Sequence, residues 1–270
     1  MEEQILWVTR LVNKLLGAPA LALLDALHLQ PASRAYPIPN HIAMELVVLL
    51  FSVVFILWLK SRISVENPGA TQQCMESLLV NPMRVGALDL LQAIVGPHGE
   101  RYLPMIGTVG LFILFANLIS LVPGFSSPTA QVTVPLGCAV AVFLYYNACG
   151  LRTHGAWGYT KHFMGPVWWL AIIMFPIEIL SHLARLLSLT VRLWVNMLVS
   201  ELLYTIFLGL SVALYVFASG FHVLFQVTGV IPLTVPIAFM ALHVFVAVLQ
   251  AFVFTLLPVV YVGAAVVEEH

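Results

Sequence analysis

Between Glu178 and Asn196 the sequence sets Glu178, Ser181, Arg185, Ser188, Arg192 and Asn196 into a run otherwise rich in leucine, isoleucine and valine. On a helix turning about 100° per residue, all of them fall within about 40° of the direction of Arg192 and form one line roughly 27 Å long. Glu201 comes nine residues after Arg192 and points to the opposite side. A second apolar run repeats the pattern more sparsely, with His243, Gln250 and Tyr261 collinear to within about 20°. Such residues can hold one another, glue helices together, bind a charged substrate at mid-membrane or ligate a haem. For Arg185 and Ser181 the structural and functional readings stand level, while His182, off the line, and His222, near a helix start, read as structural histidines. Arg192 is different, because a centred arginine costs about 2.5–3.5 kcal/mol on the insertion scale and no carboxylate sits three or four residues away to neutralise it. Its partner must come from elsewhere in the chain or from another protein.

The composition makes a membrane the setting. Of 270 residues 61% are hydrophobic and 9% charged, against about 25% charged in a soluble domain, and mean hydropathy is +1.01. The net charge of -1 indicates no nucleic-acid footprint. Cys74, Cys138 and Cys149 are spaced like neither a zinc site nor a disulfide framework, so no metal and no cofactor are expected. The opening "MEEQILWVTRLVNK" lacks the basic region and clean apolar core of a signal peptide. No Walker-type loop is present, so this chain alone should not hydrolyse ATP.

Helical periodicity arranges these residues on elements. Ile5, Leu6, Val8, Leu11, Val12, Leu15 and Leu16 recur on one face with Arg10, Asn13 and Lys14 on the other, which makes residues 1–40 an interfacial segment. Ile42 to Leu59 is long enough to cross and is followed by Lys60 and Arg62, a cytoplasmic end by charge, with the N-terminus outside. A cytoplasmic-side surface helix is predicted over roughly 72–95. Ile177 to Leu208 contains neither Gly nor Pro; as one helix it would be roughly 48 Å long against a core of about 30 Å, and so steeply tilted. A turn-rich zone with Gly220, Gly229, Pro232 and Pro236 separates it from a last run, Ile237 to Leu257. The expectation is an all-α polytopic membrane protein with one embedded domain, 41–270. Its spans are about 42–59, 105–122 and 132–149, followed by a tilted helical hairpin of about 166–210 and 222–264, with surface amphipathic helices beside them and the C-terminus in the cytoplasm.

"LSLTVRLWVNMLVSELL" followed by "HVFVAVLQAFVFTLLPVVYV" resembles the two closing helices of subunit a, the proton-channel stator of the rotary F-type ATP synthase membrane sector. "GPHGERYLPMIGTVGLFILFANLISLVPGFSSPTAQVTV" is similar to that family's preceding hairpin, and together the matching blocks run from about Gln72 to the end. The resemblance implies that Arg192 faces a ring of c subunits, with Asn196 and Gln250 as polar neighbours. It implies that Glu201 and His243, with Asn117 of the hairpin, line a half-channel open to the periplasm. Glu178, Ser181, Ser188 and Tyr261 would line the cytoplasmic half-channel, with Arg185 as a structural or pathway residue. Two positions depart from the family: Leu186, where many relatives have proline, and Ser120, where some have an acid. The implied partners are the c ring, b-type peripheral stalk subunits, the remainder of the ATP synthase and the lipid bilayer. The implied location is the bacterial cytoplasmic (inner) membrane, and the implied role is that of a non-catalytic ion-channel subunit.

Two other classes compete. A secondary transporter needs inverted repeats, and none is convincing between the halves, while the charges concentrate in the last third. A haem-binding subunit would need His182 and His243 on facing helices at matched depth. Neither explains Arg192 together with Asn196 and Gln250 as economically.

Overall fold

The computed structural model describes residues 5–28, 35–64, 68–79, 86–122, 125–164, 171–219 and 231–266. Among these there is no strand. The α-helices are α1 (Trp7–Ala26), α2 (Asn40–Arg62), α3 (Ala70–Leu79), α4 (Ala87–Val95), α5 (Leu103–Leu118), α6 (Thr133–Met164), α7 (Ala171–Ser219) and α8 (Ile231–Val266). Five stretches are long and apolar enough to cross a membrane: Asn40–Arg62, Gly99–Leu121, Thr133–Gly155, Ala171–Leu214 and Pro236–Val266. The protein is therefore an all-α chain with several membrane spans, as its composition requires. Only helices satisfy every backbone N–H and C=O within a single segment, which hydrocarbon demands.

Three expectations change in detail. The single surface helix over 72–95 does not form, because Gly86 is extended at φ -64°, ψ 151°, and α4 starts only after it and ends at Gly96 with φ 92°. Against predicted limits of about 166–210, the long helix runs further only at its C-terminal end, since α7 has 49 residues, reaches Ser219 and continues through Pro176 and Gly209. Pro176 lies in the second turn, so it removes one backbone bond near the helix end, and a glycine within a helix costs only about 1 kcal/mol relative to alanine. Pro232 and Pro236, expected in a turn, lie inside α8, which begins at Ile231. Pro232, in the first turn, sacrifices an N–H that would be unpaired anyway, and Pro236, in the second, removes one backbone bond near the helix start. Gly220, Gly229 and His222 of the predicted turn, the hairpin starts at 166–170 and 222–230, and the C-terminal residues 267–270 lie outside the described residues.

The chain divides into two compact units, one drawn from Met1–Ser52, Leu114–Gln131 and Trp194–Leu249, the other from Val53–Ile113, Val132–Leu193 and Gln250–His270. In the first, the Asn13 side chain clamps α1 to the segment before α2. Its Nδ2 donates to the carbonyls of Thr9 at 2.8 Å and Ile38 at 2.9 Å, and its Oδ1 accepts the Ile38 N–H at 3.0 Å. Trp7 meets Phe125 edge-on, with ring centroids 5.7 Å apart.

In the second unit, α6 breaks at Gly155, whose φ of 70° and ψ of 166° no β-branched residue adopts cheaply. The break lets Tyr159 fold back on its own helix, where its hydroxyl donates to Asn147 Oδ1 at 2.9 Å and its ring lies against Gly150. Burial pushes the Tyr159 phenol above its ordinary range, the nearby Arg185 charge opposing that shift. Gly263 makes a similar close approach to Ile94.

A Cβ at Gly150 would collide with the Tyr159 ring, whereas one at Gly209 meets nothing within 4 Å. Gly150→Leu should therefore destabilise the protein by about 1–3 kcal/mol, the usual range for overpacking. Gly209→Leu should leave it unchanged or slightly more stable. Thermal unfolding in detergent, followed by tryptophan fluorescence, checks both.

Candidate functional site

In the first unit the sequence-predicted residues His243, Asn117 and Glu201 are brought together through partners that no periodicity marks. His243, on α8, is buried at 4% exposure. Its Nδ1 lies 2.7 Å from Ser200 Oγ on α7, and its Nε2 lies 3.2 Å from the Asn117 carbonyl and 3.0 Å from Ser120 Oγ. A carbonyl can only accept, so Nε2 carries the proton and Nδ1 accepts from the Ser200 hydroxyl. The ring is held by Ser200 of α7 and by Asn117 and Ser120 at and just after the end of α5. Glu201 and His243 line one cavity of about 270 Å³ together with Ser120, Tyr204 and Thr205.

Behind that cavity Asn117 anchors the loop after α5. The Ser127 hydroxyl reaches the Ala116 carbonyl at 3.0 Å, the Ser127 and Thr129 hydroxyls approach to 2.6 Å, and Thr129 Oγ1 lies 2.6 Å from the Asn117 amide oxygen. Three contacts need three protons, and two hydroxyls supply two. Turning the Asn117 amide so that its nitrogen faces Thr129 supplies the third. Protons then run one way, from Asn117 through Thr129 and Ser127 to the backbone. Trp194 Nε1 donates to the Ala130 carbonyl at 3.0 Å and holds the same loop from α7. Asn196 also belongs to this unit and is half-buried on α7.

The second unit holds the cluster around Tyr261. Glu178 lies 3.4 Å from His182 Nε2, and His182 Nδ1 lies 2.8 Å from the Tyr146 hydroxyl. One tautomer serves both contacts, with Nε2–H toward the carboxylate and Nδ1 accepting from the phenol. The Tyr146 and Tyr261 rings are 5.7 Å apart, and the Arg185 guanidinium sits 5.6 Å above Tyr261. This is a cation–π contact. His182 joins Glu178 to Tyr146 of α6, a link the angular pattern alone hid. Ser181 is half-buried and Ser188 exposed on α7.

Arg192 is exposed. Among the described residues its guanidinium makes one hydrogen bond, to Ser188 Oγ at a long 3.5 Å, and no ion pair with a carboxylate. Gln250 is buried at 1% exposure, and its Oε1 has no hydrogen-bond partner among the described residues. An unpaired buried acceptor costs about 1–3 kcal/mol. No group of three or more potential metal ligands occurs among the described residues.

These features define a class: a multi-pass helical membrane protein with polar clusters among its spans and, on its longest described helix, an exposed arginine, Arg192, that meets no carboxylate among the described residues. The chain belongs to the ATP synthase A chain family, whose model matches residues 42–263. It is 37% identical over 265 residues to ATP synthase subunit a of Koribacter versatilis, covering 98% of both chains. It is 41% identical over 240 residues to ATP synthase subunit a of Solibacter usitatus, covering 88% of this chain and 92% of that one. Against ATP synthase subunit a 1 of Syntrophotalea carbinolica the identity is 41% over 230 residues, 85% of this chain and 87% of the relative.

Asn117→Leu removes the side chain on which the Thr129 and Ser127 hydroxyls close, leaving buried polar groups unpaired. The expected loss is about 1–3 kcal/mol. It should be read as a lower detergent unfolding midpoint and faster proteolysis within residues 118–132.

Proposed function

We propose that this chain is the proton-translocating stator subunit of a rotary ATP synthase, with two offset half-channels that meet at Arg192. The observation that carries the reading is the exposed, carboxylate-free guanidinium of Arg192 in a chain of the ATP synthase A chain family. Only 6% of the apolar window of α7 is buried within this chain. Its face therefore needs lipid or another protein against it, and a ring of c subunits would supply both cover and counter-ion. The b-type stalk and the remaining ATP synthase subunits complete the proposed assembly. No nucleotide site is assigned to the chain itself.

Each c subunit would present one carboxyl group at mid-membrane. Protonated, that group can face lipid; ionised, it cannot. At ~4 Å and an effective dielectric near 20, Arg192 attracts a carboxylate by about 4 kcal/mol, roughly a thousandfold in proton affinity. Proton release is thus favoured beside Arg192 and opposed elsewhere on the ring. The guanidinium does not deprotonate, so a proton cannot leak past it between the half-channels; a buried lysine would be a poorer barrier.

Glu201, His243 and Asn117 form the outer half-channel in this proposal, assisted by Ser120 and Ser200. Glu178, Ser181, Ser188 and Tyr261 form the inner one. Asn196 and Gln250 flank the arginine, and the orphaned Gln250 Oε1 is an acceptor available to a guanidinium or water there. A proton crosses only by riding the ring, each 100 mV of membrane potential contributing about 2.3 kcal/mol. The proposed setting is the bacterial cytoplasmic membrane, with the N-terminus periplasmic, the C-terminus cytoplasmic, the α7–α8 hairpin tilted and residues 41–270 embedded as one domain.

Arg192→Ala should abolish ATP-driven proton pumping in inverted membrane vesicles while increasing passive proton leak through the stripped membrane sector. Retained pumping would sink the assignment. Cysteines replacing Glu201 and His243 should react with a membrane-impermeant thiol reagent added from the periplasmic face, and labelling from the cytoplasmic face alone would reverse the topology.

A further inference from the structure

Glu201 lines a second cavity, separate from the one it shares with His243. This void of about 290 Å³ lies in the same compact unit, and its wall includes Asn40 and His41 of the first turn of α2, Ser126 and Ser127 of the loop after α5, and Gln131. Neither the angular pattern on α7 and α8 nor the family comparison assigns a role to His41. The volume exceeds by many times the ~10–15 Å³ of probe space that one water requires, and amide, hydroxyl and imidazole groups around it offer the two to four partners each water needs. Among the lining residues, His41 and Glu201 are the two with ionisable side chains. His41 is half-buried. The charged or titratable group one turn away on its own helix is Glu45, and the groups facing it across the cavity from α7 and the loop are Glu201 and neutral serine and glutamine side chains.

The Asn40 amide oxygen accepts the Leu6 N–H at 3.3 Å, and Asn13 grips Ile38 just before α2. The first turn of α2, and with it His41, is thereby held in place by α1.

We infer that this cavity is a water-filled inlet to Glu201 and that His41, at its wall, is a proton-exchange residue serving it. The inference rests on the proposed outer pathway through Glu201. An imidazolium at His41 passes its N–H proton through cavity water to the Glu201 carboxylate, giving neutral imidazole and a neutral carboxyl group. The imidazole regains a proton from hydronium in the water outside. No bond other than N–H and O–H is made or broken.

The test uses the assembled ATP synthase in inverted membrane vesicles, with the amount of chain in the membrane and the ATP hydrolysis of the complex measured alongside. His41→Ala should slow ATP-driven proton pumping by about 10²-fold, the lower end of what a positioned acid–base group contributes. Added imidazole, small enough to enter the cavity, should restore the rate. Gln131→Trp, which alters an exposed residue and fills the void, should slow pumping without a response to imidazole. Full-rate pumping in both variants overturns the inlet, and a slow His41→Ala that imidazole leaves slow overturns the exchange role of His41. Glu201→Gln separates the two levels. If it abolishes pumping while the cavity variants pump normally, only this inference fails; if it pumps normally, the outer pathway fails as well.

Discussion

Hydrocarbon offers no hydrogen bonds, so each polar group carried into it must be answered by the protein. The hydroxyls of this chain divide sharply under that constraint. Ser52, Thr108, Thr190, Thr205, Ser211 and Thr255 each return their proton to the carbonyl four residues back on their own helix. They are satisfied locally and bring nothing together. Ser120, Ser127, Thr129 and Ser200 instead reach partners on other elements or loops, and around them His243 and Asn117 are fixed. The difference between a tolerated hydroxyl and one that builds a site is where its proton goes.

The same constraint gives Arg192 its significance. A guanidinium cannot shed its charge, and the described structure gives it one long contact to a hydroxyl in place of a carboxylate. Under the proposed function the missing counter-ion belongs to a moving partner, and a permanent internal carboxylate would remove the reason for that partner to release its proton. The bare flank of α7 fits the same logic. Leu180, Leu187, Leu202, Ile206 and Leu210 are all more than half exposed, a large apolar area for one helix to leave to lipid or to a rotor.

Much of this was legible without coordinates. Membrane character followed from composition, and the spans from runs of apolar residues, because burial in hydrocarbon selects residue type directly. The line of polar residues on α7 followed from the helical repeat. Boundaries were less legible: α7 outran Pro176 and Gly209, since a long apolar helix absorbs the loss of one bond near its end, while Gly86 divided a surface helix that its apolar pattern made continuous. Periodicity also ranks residues only within one helix. It put His182 off the polar line, although that ring joins Glu178 to Tyr146 from a different helix, and it gave no weight to His41, Ser120 or Ser200.

The sequence by itself determined the setting, the helices and the angular order of side chains on each, because these depend on residue type and a fixed turn per residue. It also carried the motifs from which the family can be recognised. Only the tertiary structure decided which polar groups meet. That Ser200 and Ser120 hold opposite nitrogens of His243, and that Glu201 opens on two cavities, one walled by α2, depends on contacts between segments as many as 160 residues apart. Such contacts arise from how helices pack, and packing leaves no repeat in the order of residues along the chain.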